Sequence, residues 1–231
     1  MAAHRNTLRF LVTDLILGRV DTGHPLYRFL RLNGMSQRTL HWFLGHPAKI
    51  DLLALDYYIH SEMQWRTGKD RIERICPSPV PKGFATVARD YIERYQRPVM
   101  LGETNIRGEV ADRLGWLKYT YQECEALAQS EGVDFRGYGW FPIWDSCAWA
   151  RDLCRTAKTE VDPVGIYSLD EKRERRIPTE LSRTFEALAK GRITSRDIRP
   201  YAFQPPVSDW MRGYARFTED WVWREAGEEA A

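Results

Sequence analysis

The chain has 231 residues, enough for one large domain or two small ones, and 43% hydrophobic with 29% charged residues is ordinary for a globular protein. Its 34 basic and 32 acidic residues nearly balance, which gives no reason to expect a nucleic-acid partner or an anionic membrane surface. No apolar run approaches the roughly 20 residues that span a bilayer, so we expect no membrane partner.

The sequence of the first part of the chain predicts two helices and a strand. Residues 8–20 and 36–44 have the apolar spacing of helices, and Ser36 is the expected N-cap of the second helix. A short apolar run at 50–55 predicts a buried strand. The following stretch is rich in charge and then in proline, and it predicts a loop.

Helices and strands alternate in the remainder. The apolar spacing predicts a helix at 84–95, a strand from Pro98, a long amphipathic helix at 111–130, an aromatic and glycine-rich strand at 135–144 and a last helix at 180–190. The charged run at 170–176 predicts a solvated loop.

Strands separated by helices imply parallel βαβ units, whose carboxyl ends meet on one face. The residues at the three predicted strand ends are polar or aromatic: Asp56 and Tyr58, then Glu103 and Asn105, then Trp144 and Asp145. In a (β/α) barrel the active site is built at these ends. The convergence therefore predicts a site at this edge of the sheet.

Glu103 is the most informative of these residues. It ends a short apolar strand, where burying a carboxylate costs several kcal/mol unless it is paired or used. Glu103 is either a catalytic carboxylate or a structural one, held by Arg107 or by a helix terminus.

The cysteines and aromatic residues bear on location and ligand. The four cysteines are scattered without a Cys-x-x-Cys pair: Cys76, Cys124, Cys147 and Cys154. This spacing predicts reduced thiols in a cytoplasmic protein, with neither a metal site nor a dense disulfide framework. Aromatic residues make up 13% of the chain, with nine Trp and eleven Tyr. They serve either core packing or the stacking of flat apolar faces such as sugar rings.

Three predicted strands are too few for a closed (β/α) barrel, which needs eight strands and usually about 250 residues. The predicted fold class is α/β: a partial TIM (β/α)8 barrel, with about the last three βα units. A small open α/β layer with exposed sheet edges is the alternative.

Four motifs, in order along the chain, resemble the end of family-1 glycoside hydrolases. Residues 51–58 (DLLALDYY) are similar to that family's sixth strand, which usually ends in Asn-Tyr-Tyr. Residues 101–105 (LGETN) resemble the seventh strand, whose Thr-Glu-Asn motif carries the nucleophile. Residues 145–149 (DSCAW) resemble the Asp-Asn-Phe-Glu-Trp segment after the eighth strand, and 162–167 (DPVGIY) resembles the segment that follows. The resemblance covers roughly residues 8–190.

The resemblance implies roles for the matching residues. Glu103 matches the nucleophile of a retaining glycosidase, and Tyr58 matches the tyrosine that hydrogen-bonds it. Asp56 stands at the family's Asn, and Phe141 at its sugar-stacking Trp. The substrate-binding residues expected here are Asp56, Asn105, Trp140, Phe141, Trp144, Asp145 and Trp149. The sequence leaves open whether Trp140 or Trp144 faces the cleft, and whether Asp145 holds loops together instead.

Two departures from the family limit what this chain can do. Ala148 stands at a Glu that binds sugar hydroxyls in the family. The chain has no Asn-Glu-Pro motif, which carries the acid/base Glu on the fourth strand. Retaining hydrolysis needs two carboxyl groups about 5 to 5.5 Å apart, so we expect the chain alone to be inactive.

These observations give one leading hypothesis and two alternatives. We expect residues 1–190 to be the C-terminal part of a glycosidase-like barrel and 191–231 to extend the same domain. The full-length protein would hydrolyse β-glycosides with retention, without a cofactor, and the partial barrel would self-associate through its exposed edges. The alternatives are a non-catalytic carbohydrate-binding or scaffold protein derived from a barrel, and a small α/β protein unrelated to glycosidases.

Overall fold

A computed structural model describes residues 6–67, 72–77, 81–147, 161–170 and 174–199. The chain divides into two compact units, Met1–Asp51 and Leu52–Ala231. The expected extension of one domain by residues 191–231 stays a prediction.

The first unit is helical where the structure describes it. Its helices are α1 (Leu11–Ile16), α2 (Tyr27–Leu32) and α3 (Gln37–Gly45). As predicted, Ser36 caps α3, because its hydroxyl accepts the N–H of Thr39 at 3.0 Å. The first predicted helix is shorter than expected, since Gly18 takes a left-handed φ of 65°. Helix α2 was not predicted.

A small apolar core and one buried polar pair stabilise this unit. Val20, Leu30 and Leu40 are buried together. Asp14 is fully buried, and the Nε2 of His24 lies 3.2 Å from its carboxylate. The other ring nitrogen of His24 accepts the N–H of Leu26 at 3.1 Å. The pair therefore fastens the turn between α1 and α2.

The second unit carries a parallel sheet and three small antiparallel pairs. Its strands are β1 (Leu53–Asp56), β2 (Met63–Thr67), β3 (Ile72–Pro77), β4 (Val99–Glu103), β5 (Phe135–Tyr138), β6 (Ser146–Cys147), β7 (Val161–Asp162), β8 (Tyr167–Leu169) and β9 (Arg176–Pro178). Its α-helices are α4 (Phe84–Tyr95), α5 (Val110–Ala128) and α6 (Glu180–Ala189). The predicted helices at 84–95, 111–130 and 180–190 are thereby confirmed.

Strands β1, β4 and β5 form the predicted parallel sheet, in the order β1-β4-β5. One face of the sheet is apolar and buried, with Leu53 and Leu55 on β1 and Val99 and Leu101 on β4. Within the described part of the chain, β1 and β5 each pair on one side only. The architecture is thus α/β with a parallel sheet that is not closed into a barrel.

The prediction of a loop after β1 was wrong, because part of that stretch forms the antiparallel hairpin β2–β3. The sequence of β2, MQWRT, alternates apolar and polar residues, which is typical of a strand. The prolines that suggested a loop end β3 and follow it. The predicted solvated loop at 170–176 connects β8 and β9, and its described residues 174–176 are exposed, although Arg176 already belongs to β9.

The third predicted strand was too long, since β5 ends at Tyr138 and not at residue 144. Just past the strand the two backbones approach closely, because a Cβ atom at Gly139 would lie 2.3 Å from the carbonyl oxygen of Gly102. The following segment still contacts the end of β4, because the N–H groups of Gly139 and Phe141 donate to the carbonyl oxygens of Leu101 and Thr104. Trp144 then joins β8 through a bridge to Tyr167.

Candidate active site

The candidate active site lies at the carboxyl ends of β1 and β4. Asp56 and Glu103 are register partners across the two strands. The N–H of Tyr57 donates to the carbonyl oxygen of Glu103 at 2.9 Å, which continues the pairing by one residue. The parallel sheet therefore brings Tyr58 next to Glu103, although the two are 45 residues apart in sequence.

The phenol of Tyr58 donates a hydrogen bond to Oε2 of Glu103 at 2.8 Å. Both side chains are half-buried. The ring of Tyr58 is also stacked on the ring of His60, with centroids 5.2 Å apart. A donor at this distance fixes the orientation of the carboxylate and leaves its other oxygen available.

Asp56 is an exposed carboxyl group beside this pair. Its partial burial, and secondly the negative charge of Glu103, raise the pKa of Asp56 above its ordinary value. The register of β1 and β4 thus places the carboxyl group of Asp56 within electrostatic range of Glu103.

Beneath the pair, Tyr57 is buried and linked to the loop before α4. Its phenol donates to Glu62 Oε1 at 2.8 Å, and burial raises the pKa of this phenol well above its ordinary range. The same carboxylate accepts the backbone N–H groups of Lys82 and Gly83 at 2.6 and 2.9 Å. Glu62 is thus a half-buried anchor that joins the end of β1 to the start of α4.

Asn105 and Phe141 lie together at the β4–β5 side of the site. The amide of Asn105 donates to the carbonyl oxygen of Phe141 at 2.5 Å, and Asn105 is only 8% exposed. The Phe141 side chain is 45% exposed. Asn105 thereby holds the backbone of Phe141, whose ring remains accessible to a ligand.

The two tryptophans of this segment differ in exposure. Trp140 is 6% exposed and its indole N–H donates to the carbonyl oxygen of Val164 at 2.9 Å. Trp144 is 41% exposed, and the guanidinium carbon of Arg176 lies 3.9 Å from its ring centroid. Trp144 therefore presents an accessible face, and Trp140 does not.

Asp145 is 5% exposed and forms a buried ion pair with Arg113 on α5 at 3.0 Å. Its carboxylate also accepts the N–H of Gly165 at 2.9 Å, and Arg113 donates to the Gly165 carbonyl at 2.6 Å. Burial lowers the pKa of Arg113, and the charge of Asp145 opposes this shift. The pair fastens the segment before β8 to α5.

The structure thus brings five of the expected site residues to one edge of the sheet: Glu103, Tyr58, Asp56, Asn105 and Phe141. Trp140, Trp144 and Asp145 lie on the segment that follows β5. Trp149 lies outside the described residues, as does Ala148. Among the residues that the structure describes, no group of three or more His, Cys, Asp or Glu side chains could hold a metal ion.

Sequence reasoning missed Thr104, which is fully buried directly after Glu103. Its hydroxyl donates to the carbonyl oxygen of Tyr57 and accepts the indole N–H of Trp116. A small polar residue at the end of an apolar strand is the signal that could have identified it.

A search of solved structures finds this fold in β-glucosidases of Thermotoga maritima. The β-glucosidase in complex with glucoimidazole aligns with a TM-score of 0.64 and 19% identity, over 80% of this chain and 46% of that chain. The complex with deoxynojirimycin gives 0.62 and 19%, over 80% and 46%. A structure described as a family 1 β-glucosidase gives 0.59 and 18%, over 76% and 42%.

These likenesses define the fold class: it is a glycosidase-like α/β fold with a parallel sheet. The chain spans less than half the length of the solved structures that it matches. No protein-family model matches the sequence, and no curated protein does. No helix in the described ranges is long and apolar enough to cross a membrane.

Proposed function

We propose that this chain is the nucleophile-bearing, C-terminal part of a family-1-like retaining glycoside hydrolase that acts on β-glycosides. The observation that carries the proposal is the hydrogen bond from Tyr58 to Glu103 at the ends of adjacent parallel strands. The glycosidase-like fold supports it, since solved structures of that fold include Thermotoga maritima β-glucosidases in complex with glucoimidazole and with deoxynojirimycin.

Glu103 supplies the nucleophile in this proposal. The Oε1 atom, which Tyr58 leaves free, attacks the anomeric carbon, and the bond from that carbon to the leaving-group oxygen breaks. The product is a glycosyl ester of Glu103, which water then hydrolyses with net retention. Tyr58 keeps the carboxylate aligned during the attack.

The leaving-group oxygen needs a proton, which a second carboxyl group about 5 to 5.5 Å from the nucleophile supplies in retaining enzymes. The family's motif for that group, Asn-Glu-Pro, does not occur in this sequence. We therefore propose that hydrolysis requires the strands that this chain does not contain, and that the chain alone does not turn over substrate.

Sugar binding is assigned to the exposed aromatic and polar residues. Phe141 and Trp144 offer accessible rings on which a sugar face can stack, and Asp56 offers a carboxyl group for a sugar hydroxyl. Binding roles for Trp140, Asp145 and Trp149 stay predictions. A cytoplasmic location belongs to the same proposal and rests on the scattered cysteines.

The second candidate is a non-catalytic carbohydrate-binding or scaffold protein with a barrel-derived cleft. The observation that favours it is Ala148, which cannot make the hydrogen bonds of the family's sugar-binding Glu. In that case Glu103 would contribute little to the binding of a cationic sugar analogue.

Calorimetric titration with deoxynojirimycin separates the two candidates. The nucleophile proposal predicts that Glu103→Gln weakens binding at least about tenfold, because a protonated amine loses a charged partner. The exposed Glu93→Gln is the matched control and should bind like the wild type. Binding that survives Glu103→Gln supports the second candidate. Turnover of an aryl β-glucoside by the chain alone, abolished by Glu103→Gln, overturns the proposed inactivity.

A further inference from the structure

Thr104 lies where three chain segments of the site meet. Its side chain is 0% exposed. Its hydroxyl donates to the carbonyl oxygen of Tyr57 at 2.6 Å and accepts the indole N–H of Trp116 at 2.8 Å. A hydroxyl carries one proton, so the Trp116 donor leaves that proton directed at Tyr57.

These contacts hold the backbone on both sides of the Tyr58–Glu103 pair. The N–H of Tyr57 is bound to the carbonyl oxygen of Glu103 at 2.9 Å. The carbonyl of Thr104 accepts the N–H of Phe141 at 3.1 Å, which links the same point to the segment after β5. Tyr57 is therefore fixed at its N–H and at its C=O.

The carbonyl group of Tyr57 belongs to the planar peptide that begins Tyr58. Fixing that peptide sets the direction in which Tyr58 leaves the sheet. Packing supports the same geometry, because the ring of Tyr57 is stacked parallel to Trp116 with centroids 6.0 Å apart. The buried hydroxyl of Thr104 thus connects α5, the end of β4 and the Tyr57–Tyr58 peptide group. The phenol of Tyr58 is the one that binds Glu103.

We propose that Thr104 is a positioning residue whose hydroxyl, by holding the Tyr57–Tyr58 peptide, keeps the Tyr58 phenol within hydrogen-bond reach of Glu103. The inference deepens the proposed function and rests on it, since this contact is the one that aligns the nucleophile. Thr104 touches no substrate in this role.

Fluorine NMR of protein labelled with 3-fluorotyrosine tests the inference without substrate. Tyr58→Phe identifies the resonance of residue 58, and Glu103→Ala gives the shift that marks loss of the contact. We expect Thr104→Val, which removes the hydroxyl but keeps the branched shape, to move that resonance in the direction of Glu103→Ala. Thr104→Ser, which restores the hydroxyl, should return it to the wild-type position.

Thr120→Val is the matched control. Thr120 is also fully buried, and its hydroxyl donates to the carbonyl oxygen of Trp116 and contacts the phenol of Tyr138, both at 2.8 Å. It therefore shares the neighbour Trp116 with Thr104 but does not bind the Tyr57 carbonyl. This variant should move the Tyr138 resonance and leave that of Tyr58 in place. A shift of Tyr58 in Thr120→Val as large as in Thr104→Val overturns the inference, because any buried hydroxyl would then suffice.

A folded Thr104→Val with a wild-type Tyr58 resonance also overturns the inference and leaves Thr104 a purely structural residue. If Thr104→Val does not fold, Thr104→Ala is measured in the same way, and an unmoved resonance has the same meaning. Since no step uses substrate, failure here is distinct from failure of the proposed function, which the deoxynojirimycin titration detects.

Discussion

At the residue scale, the carboxyl groups of the second unit differ in what surrounds them. Glu103 has a phenol donor at 2.8 Å, Asp145 has a buried guanidinium at 3.0 Å, and Asp56 has a neighbouring carboxylate. The first arrangement orients a reactive oxygen, whereas the second compensates a buried charge. At Asp56, partial burial and secondly the neighbouring carboxylate make the charged state less favourable.

Asp56 gives the protein a predicted pH dependence. Its pKa is raised on folding, so its contribution to stability is present below the ordinary aspartate pKa and is lost as pH rises through the raised value. Asp56→Asn should therefore raise the Tm at about pH 7, and the gain should vanish at about pH 3. Thermal unfolding at both pH values measures this difference.

The exposed Asp51 provides the control. Its ion-pair partner among the described residues is Lys49, which is also exposed. Asp51→Asn should not raise the Tm at either pH. An equal gain from Asp56→Asn at both pH values would show that the charge of Asp56 is not the cause.

How far the sequence predicts the site depends on the range of the contacts. Glu103 and Tyr58 were predictable, because parallel strands must end on the same face whatever lies between them. The exposure of Trp144 and the burial of Trp140 were left open, since they depend on contacts with Arg176 and Val164 far along the chain. A small polar residue after an apolar strand marks Thr104 in the sequence, but its role depends on Trp116, which lies 12 residues further along the chain on α5.

At the element scale, helices with a local signal are predicted well and irregular strands are not. Helix α4 has its expected bounds because amphipathic spacing is a local property. Strand β5 ends at Tyr138, earlier than its aromatic run predicts, and the next residue, Gly139, approaches Gly102 on another strand. The β2–β3 hairpin was not predicted, because the charged residues and prolines around it in the sequence are typical of a loop.

Glu62 provides a test of how the elements of the site are joined. Glu62→Ala removes the acceptor for the N–H groups of Lys82 and Gly83 and for the phenol of Tyr57. We expect amide hydrogen exchange at Lys82 and Gly83 to become about tenfold faster, which corresponds to about 1.4 kcal/mol of local stability.

The exposed Glu93→Ala, on the α4 surface, should leave these two exchange rates unchanged. If exchange at both amides is as slow in Glu62→Ala as in the wild type, the carboxylate is not what holds this loop against β1.

At the scale of the whole molecule, the sheet of the second unit is open where a barrel would be closed. Within the described residues β1 and β5 have one neighbour each, and Ala54 and Asp56 on β1 are exposed. Parallel strands are usually covered on both faces. The chain also spans under half of the β-glucosidase structures that share its fold.

We therefore predict that the isolated chain self-associates through these edges. Sedimentation velocity should show a weight-average mass that rises with protein concentration above the 27.1 kDa of one chain. A constant mass of one chain across the concentration range would count against a partial barrel and favour a complete small α/β protein.

The most direct test of the central claim is covalent trapping of Glu103. A 2-deoxy-2-fluoro-β-glucoside with a dinitrophenolate leaving group suits this chain, because dinitrophenolate departs without protonation and needs no acid catalyst. The fluorine slows hydrolysis of the ester once it forms. We predict a single glycosyl adduct on the peptide that contains Glu103, found by mass spectrometry, and no adduct in Glu103→Gln. No adduct in the wild type, or one on another residue, would contradict the assignment of Glu103 as the nucleophile.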